Sequence, residues 1–331
     1  DLDCEAMESR ARKLHALLAP LDPAANAAAW RAIVAAAPND WSGFAARFAR
    51  PMLHAVFTAH PTFLLTPAQS DAVAAAASRD AEDVGGVCLA DATRPAITLD
   101  HEHDAAMAAL TRAQAARDQL AGTVLDEAAA RWPEKWRTLL PAPYRLATWV
   151  GYDMDGRTDI SWATSLRYRL AEKALRLDGY AAQLSAIDAA HPLVAVLRAA
   201  ESHSRDMAAL FAADLSHPAA LSDAANRLTA DDPAKLLSLT PLIAALQDEA
   251  QGCADPARAR ALIVLASAMQ ADGLGIGWIH FRVNAAQLHN AIRRRIDPDN
   301  SLDMGSRTAL ARVRTLLEAV TPLRSNFAAL A

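Results

Sequence analysis

Three short apolar runs, each ending in a polar tip and followed by a helix signal, constrain this chain more than any other feature of it. Leu53-His54-Ala55-Val56 has the length of a short buried strand and gives way to Phe57-Thr58-Ala59-His60-Pro61-Thr62. Pro61 biases His60 toward extended backbone. Thr66 then reads as a helix N-cap with Pro67 in the first turn. Arg145 to Val150 reads as a second strand, Gly151 to Ile160 as its polar loop, and Ser161 to Ile187 as a long helix. Gly275 to Val283 reads as a third strand, with Asn284 as cap of a helix over Ala285 to Arg295. Strand, tip and helix in succession form the unit of a β/α barrel, whose C-terminal strand tips carry the catalytic groups. His60 sits at such a tip and titrates in the range of general acid and base work. Its other reading is a hydrogen-bonded histidine that fixes a tight turn before proline.

The rest of the chain reads as helix. Hydrophobic residues make up 53% of it and much of that share is alanine, a strong helix former and a poor strand former. Helices are expected over 3–19, 24–37, 42–50, 67–79 and 100–132. A run of helices is expected over 191–272, broken near His217-Pro218, Asp231-Asp232-Pro233 and Gly252 to Pro256. A last helix starts at Asp303 or Ser306. Glu82 to Leu99, with Gly85-Gly86 and Pro95, reads as a loop. Asp100 reads as an N-cap, so that His101-Glu102-His103-Asp104 forms a first helical turn. That cluster has metal-ligand chemistry, but acids in a first turn are also favoured by the helix dipole. It is read as a solvated helix start.

Several classes are excluded or disfavoured. A net charge of −5 offers no basic face for nucleic acid. No apolar run reaches the roughly 18 residues of a membrane helix, and no signal peptide pattern opens the sequence. Cys4, Cys88 and Cys253 are far apart and odd in number, which suits a reducing, cytoplasmic setting without a disulfide framework. Asp153-Met154-Asp155-Gly156 has the start of a calcium loop, but Thr164 stands where the bidentate Glu would be needed. Phosphate-loop, nucleophile-elbow, paired-cysteine and zincin motifs are missing from the sequence.

Phe57 to Thr62, FTAHPT, resembles the FTAHPTE signature of phosphoenolpyruvate carboxylase. Trp149 to Ile160, WVGYDMDGRTDI, resembles that family's tryptophan followed by GGDRDGNPNV, with Trp149, Gly151, Asp153, Asp155 and Gly156 in matching places. Asp272-Gly273-Leu274 and Arg282 resemble its FGL…LDIRQES segment. The resemblance spans about residues 45–295 and corresponds to the family's N-terminal half. Phe63 replaces the family's Glu, Tyr152 its second Gly, Met154 its Arg and His280 its Asp. The family's Gly-Arg-Gly-Gly loop, catalytic lysine segment and metal-holding acids have no counterpart here.

The resemblance implies a mainly α protein in which a few parallel strands belong to a phosphoenolpyruvate carboxylase-like, incomplete β/α barrel. Residues 1–331 then form one such N-terminal region, with helical subregions over 1–50 and 161–272. Its partners would be phosphoenolpyruvate and bicarbonate, converted to oxaloacetate and phosphate with Mg2+ or Mn2+ whose ligands are not in this chain. By carry-over His60 is catalytic, Arg282 binds the anionic phosphate, and Asp153 and Asp155 order the loop. A homo-oligomer or a missing C-terminal half would complete the assembly. A non-catalytic homologue, acting as a binding or regulatory module, is the alternative. No membrane and no nucleic acid enter either reading.

Overall fold

The structure of the protein, a computed structural model, describes residues 2–18, 23–58, 67–77, 98–153 and 159–280. It is mainly helical. Helices α1 (Leu2–Leu18), α2 (Pro23–Ala35) and α3 (Trp41–Phe48) precede strand β1 (His54–Phe57). After α4 (Pro67–Ala77) comes the long α5 (Leu99–Arg131), then strand β2 (Arg145–Thr148) and α6 (Trp162–Ile187). Helices α7 (Pro192–Ala209), α8 (Pro218–Thr229), α9 (Thr240–Gly252) and α10 (Pro256–Asp272) lead to strand β3 (Trp278–Ile279).

Local chemistry explains most of the boundaries. Asp40 accepts from the Gly43 amide to start α3, Ser161 from Thr164 to start α6, and Asp255 from Ala257 to start α10. Proline occupies the first turn of α7, α8, α9 and α10, where its missing N–H costs nothing. Helix α5 differs from expectation. Thr98, not Asp100, is its N-cap and accepts from the His101 amide. A threonine two residues before an aspartate offers two local solutions, and Asp100 is drawn off by α6.

The expected solvated start of α5 is overturned with it. His101 and Asp104 are exposed, but Glu102 and His103 are buried. Glu172 of α6, 69 residues away in sequence, meets the His103 ring at 3.2 Å and covers that side.

The strands form one parallel sheet in the order β1-β2-β3. His54 pairs with Arg145 and Phe57 with Thr148. Ala147 pairs with Trp278 and Thr148 with Ile279. The third strand starts later than expected. Gly275, Ile276 and Gly277 form bends, while 281–283 and the expected helices after them lie outside the described residues. The main core is helical. Phe44 and Phe48 of α3 share it with Leu125 of α5, Leu177 and Tyr180 of α6, Leu197 of α7, Leu246 of α9 and Leu262 of α10. One face of the sheet closes a second cluster, in which Leu146, Val150 and Ile276 pack against Ala106, Met107 and Leu110 of α5. Helices α1 and α4 pack together through Met7, Ala11, Val73 and Ala76.

Cys4 is disulfide-bonded, contrary to the expectation of unpaired thiols, while Cys253 is free. Among the described residues no helix is long and apolar enough to cross a membrane.

Candidate functional site

Parallel pairing gives the sheet a single C-terminal end. Chain leaves it there after Phe57, after Thr148 and after Ile279, and the Thr148 carbonyl accepts from the His280 amide at 2.9 Å. Of the four residues assigned from sequence, Asp153 lies at this end, half-buried, just past the turn that follows β2. His60, Asp155 and Arg282 lie outside the described residues.

The turn at Asp153 is held from α6. Gly151 has φ of +85°, a backbone that side chains rarely adopt, and a Cβ there would lie 2.4 Å from the Tyr168 ring. The Ser165 hydroxyl donates to the Gly151 carbonyl at 2.7 Å. Tyr152 is buried and its hydroxyl donates to Glu172 Oε1 at 2.9 Å. Burial, with the Glu172 carboxylate second, holds the Tyr152 hydroxyl well above the usual phenol range, so it stays a donor. Tyr168 lies flat on His103 with ring centroids 4.0 Å apart and donates to Asp100 at 2.7 Å. Asp100 also receives Arg167. The Tyr168 hydrogen bond, then Arg167, keep its carboxyl below the ordinary range. These contacts place the β2 tip rigidly against α5 and α6. Beside them an open cleft of about 530 Å³ runs between the two helices, lined by Met107, Thr111, Glu172 and Leu175 among others.

The second feature is the sheet face that α5 leaves uncovered. Side chains alternate along a strand, so His54 of β1, Arg145 of β2 and Trp278 of β3 share this face, with Trp149 and His280 just past the ends of β2 and β3. His54 and Trp278 are exposed, Arg145, Trp149 and His280 half-exposed. His54 Nε2 lies 3.2 Å from His280 Nε2. The Arg145 guanidinium lies 3.8 Å over the Trp278 ring, and His280 stacks beside Trp149 with centroids 6.4 Å apart. Desolvation, then His280 and Arg145, hold the His54 imidazole below its ordinary range. One guanidinium and two imidazoles thus meet on an open, aromatic-flanked surface of an acidic protein.

Sequence reasoning passed over His54 and Arg145 because both look like ordinary strand positions. Their signal was the period of two, which puts His54 and Val56, Arg145 and Trp149, and Trp278 and His280 on one side once the three runs are paired. In the sequence His280 stands in place of the family's Asp.

Among the described residues no group of three or more His, Cys, Asp or Glu side chains is gathered to hold a metal ion. The resemblance places the ligands of Mg2+ or Mn2+ outside this chain, and none is assigned among these residues. Fold and site define a mainly helical protein built around a three-stranded parallel sheet with a cationic open face. No family model, no curated protein and no solved structure matches the chain.

Proposed function

We propose that this is a phosphoenolpyruvate carboxylase-like protein whose strand-tip end takes small anionic acids, and that residues 1–331 bind such an acid rather than carboxylate it. The observation that carries the reading is the order of the sheet. Three adjacent parallel strands bring Phe57 and Thr58, Asp153, and His280 out at one end, which supports a site there. In a β/α architecture that end is where ligands bind. His60 follows Thr58 by two residues, and Arg282 follows His280 by two. In this reading His60 handles a proton and Arg282 neutralises phosphate, a task suited to a planar guanidinium. Asp153 and Asp155 order the loop between them. Bicarbonate and the divalent metal are given no place on these residues. No step through the metal is assigned to these residues.

Phosphoenolpyruvate at millimolar concentration should raise the melting temperature of the wild type more than that of Arg282→Ala, because binding to the folded state alone stabilises it by mass action. Potassium chloride at matched ionic strength serves as control, since salts act on stability without binding. Equal shifts in the two proteins would overturn the site. Oxaloacetate formation by this chain alone, with bicarbonate and magnesium, would overturn the statement that it only binds.

A further inference from the structure

The uncovered sheet face carries three groups that favour negative charge: His54 from β1, Arg145 from β2, and His280 just past β3. They are the titratable and charged side chains that the strands and the residue just past β3 present on this face, and α5 packs against the opposite one. Their arrangement is specific. At 3.2 Å the two Nε2 atoms are within hydrogen-bond distance of each other. Such a bond needs one N–H and one lone pair, so one of the two facing nitrogens is bare. A proton added to that nitrogen would turn two donors toward each other, and one added to either ring would place a further positive charge near Arg145. Burial, then His280 and Arg145, already hold the His54 imidazole below its ordinary range. An oxyanion reverses that preference, because two of its oxygens can accept from two N–H groups and its charge offsets theirs.

We propose that this face binds a small dianionic oxyanion, such as a phosphate ester or sulfate, between Arg145 and the His54–His280 pair, and that the pair takes up a proton as the anion binds. The guanidinium supplies donors in a fixed fork, and its stacking on Trp278 keeps it in place. The imidazoles supply N–H donors from β1 and from the residue just past β3. This rests on the proposal above that the protein takes small anionic acids, and adds a second set of groups, on the sheet face, that holds an anion together with a proton. Arg145, His54 and His280 are distinct from His60 and Arg282, so the two sites can be separated by mutation.

Sulfate is the probe, because its own charge is fixed across the neutral range and any pH dependence must come from the protein. Calorimetric titration at about pH 6 and about pH 8 brackets the histidine range. Affinity should fall roughly tenfold per pH unit through the window in which bound and free pair differ in protonation. Repeating the titration in buffers of different ionisation heat should count about one proton taken up per sulfate. Trp149 and Trp278 flank the pair, so their fluorescence provides an independent binding signal. His54→Asn and His280→Asn should each abolish the proton uptake while leaving weaker, pH-independent binding. Arg145→Gln should lose binding at both pH values. Phosphoenolpyruvate should displace sulfate from the wild type. Sulfate binding of equal strength at both pH values would overturn the proton uptake and leave the anion reading standing. Binding unaffected by all three substitutions would overturn the siting. No binding to a folded wild type at about pH 6 would overturn this proposal, while the strand-tip reading is judged separately by the melting shift of Arg282→Ala.

Discussion

Two clusters of cationic side chains flank the same sheet, and they are built on opposite principles. Between α5, α6 and α10, Arg117 places both terminal nitrogens on the Asp272 carboxylate at 2.6 and 2.9 Å. Arg176 pairs with the same carboxylate at 2.8 Å, and Gln114 donates to it at 3.0 Å. The side chains of Arg117, Arg176 and Asp272 are 2%, 4% and 1% exposed, so water contributes almost nothing to their solvation. Nearby Asp118 accepts from Arg117 at 3.3 Å, and burial holds its carboxyl above the usual range. On the open face Arg145, His54 and His280 have water on one side and no carboxylate bonded to them in any described contact. A buried cation must be matched by the chain itself. An open one can be left for something else to match. The difference separates a node that holds the fold from a face that has room to act.

The largest effect should come from the closed node. Asp272→Ala leaves Arg117 and Arg176 buried with Asp118 as their remaining carboxylate. Removing one partner of a buried ion pair typically costs about 3–5 kcal/mol, because a charge is left without compensation. Urea unfolding of the variant should show a loss of that order. A loss below about 1 kcal/mol, the usual worth of an exposed pair, would mean that the node is wetter than it looks, and the contrast with the open face would fail.

The next effect tests how node and face are joined. Gln114 Nε2 reaches from the Asp272 carboxylate to the Ile276 carbonyl at 2.6 Å, so the node fixes the turn that delivers β3. Two glycines flank Ile276, and they differ in what a methyl group would meet. At Gly275 it would meet the far end of the Arg169 side chain, which can swing away. At Gly277 it would lie 2.9 Å from the Leu146 carbonyl oxygen, a backbone atom of β2 that cannot move without the strand. Gly277→Ala should therefore cost about 1–3 kcal/mol, the range of overpacking, and should loosen β3 at His280. Thermal unfolding measures the first effect. The second predicts weaker anion binding in a variant whose His54, Arg145 and His280 are all intact. Unchanged stability would mean that β3 is not held tightly to β2.

The same contrast explains what was legible in the sequence. Helix starts such as Pro67, or Ser161 at the head of α6, depend on neighbours a few residues away and could be read directly. The strands could be placed because they interrupt alanine-rich helix, and their parallel order agreed with strand, tip and helix repeating. Partners distant in sequence could not be seen. Glu172 turns His103 from a solvated residue into a buried one, and Arg167 and Tyr168 claim Asp100 and leave the cap to Thr98. Tyr152 looked like the loss of a family glycine. In the fold its ring is buried and its hydroxyl ties the β2 tip to α6. Gly275 and Gly277 sit inside an apolar run that reads as strand throughout, and only the close approach of Arg169 and of Leu146 shows why the run bends first.

The smallest effect on stability, and the most informative, should come from Arg145→Ala. Its guanidinium has two roles in the structure, a stack on Trp278 and a charge near His54. An exposed cation–π contact is worth about 0.5–1 kcal/mol, and losing it is partly offset by relief of repulsion between Arg145 and the histidine. Unfolding free energy should thus fall by less than about 1 kcal/mol. The sign at His54 follows from the same contact. Arg145 disfavours the charged imidazole, so its removal should move the His54 titration back up toward its ordinary value, visible in the ring-proton shifts by nuclear magnetic resonance. A face built for an anion should then show the two readouts diverge. The variant should remain folded and its histidine should protonate more readily, while sulfate binds at least tenfold more weakly, a change of about 1.4 kcal/mol in binding free energy. If Arg145→Ala instead unfolds the protein as severely as Asp272→Ala, the open face is a structural surface like the closed node. If the variant stays folded and binds sulfate as well as the wild type, Arg145 is a strand cation that serves only to cover Trp278.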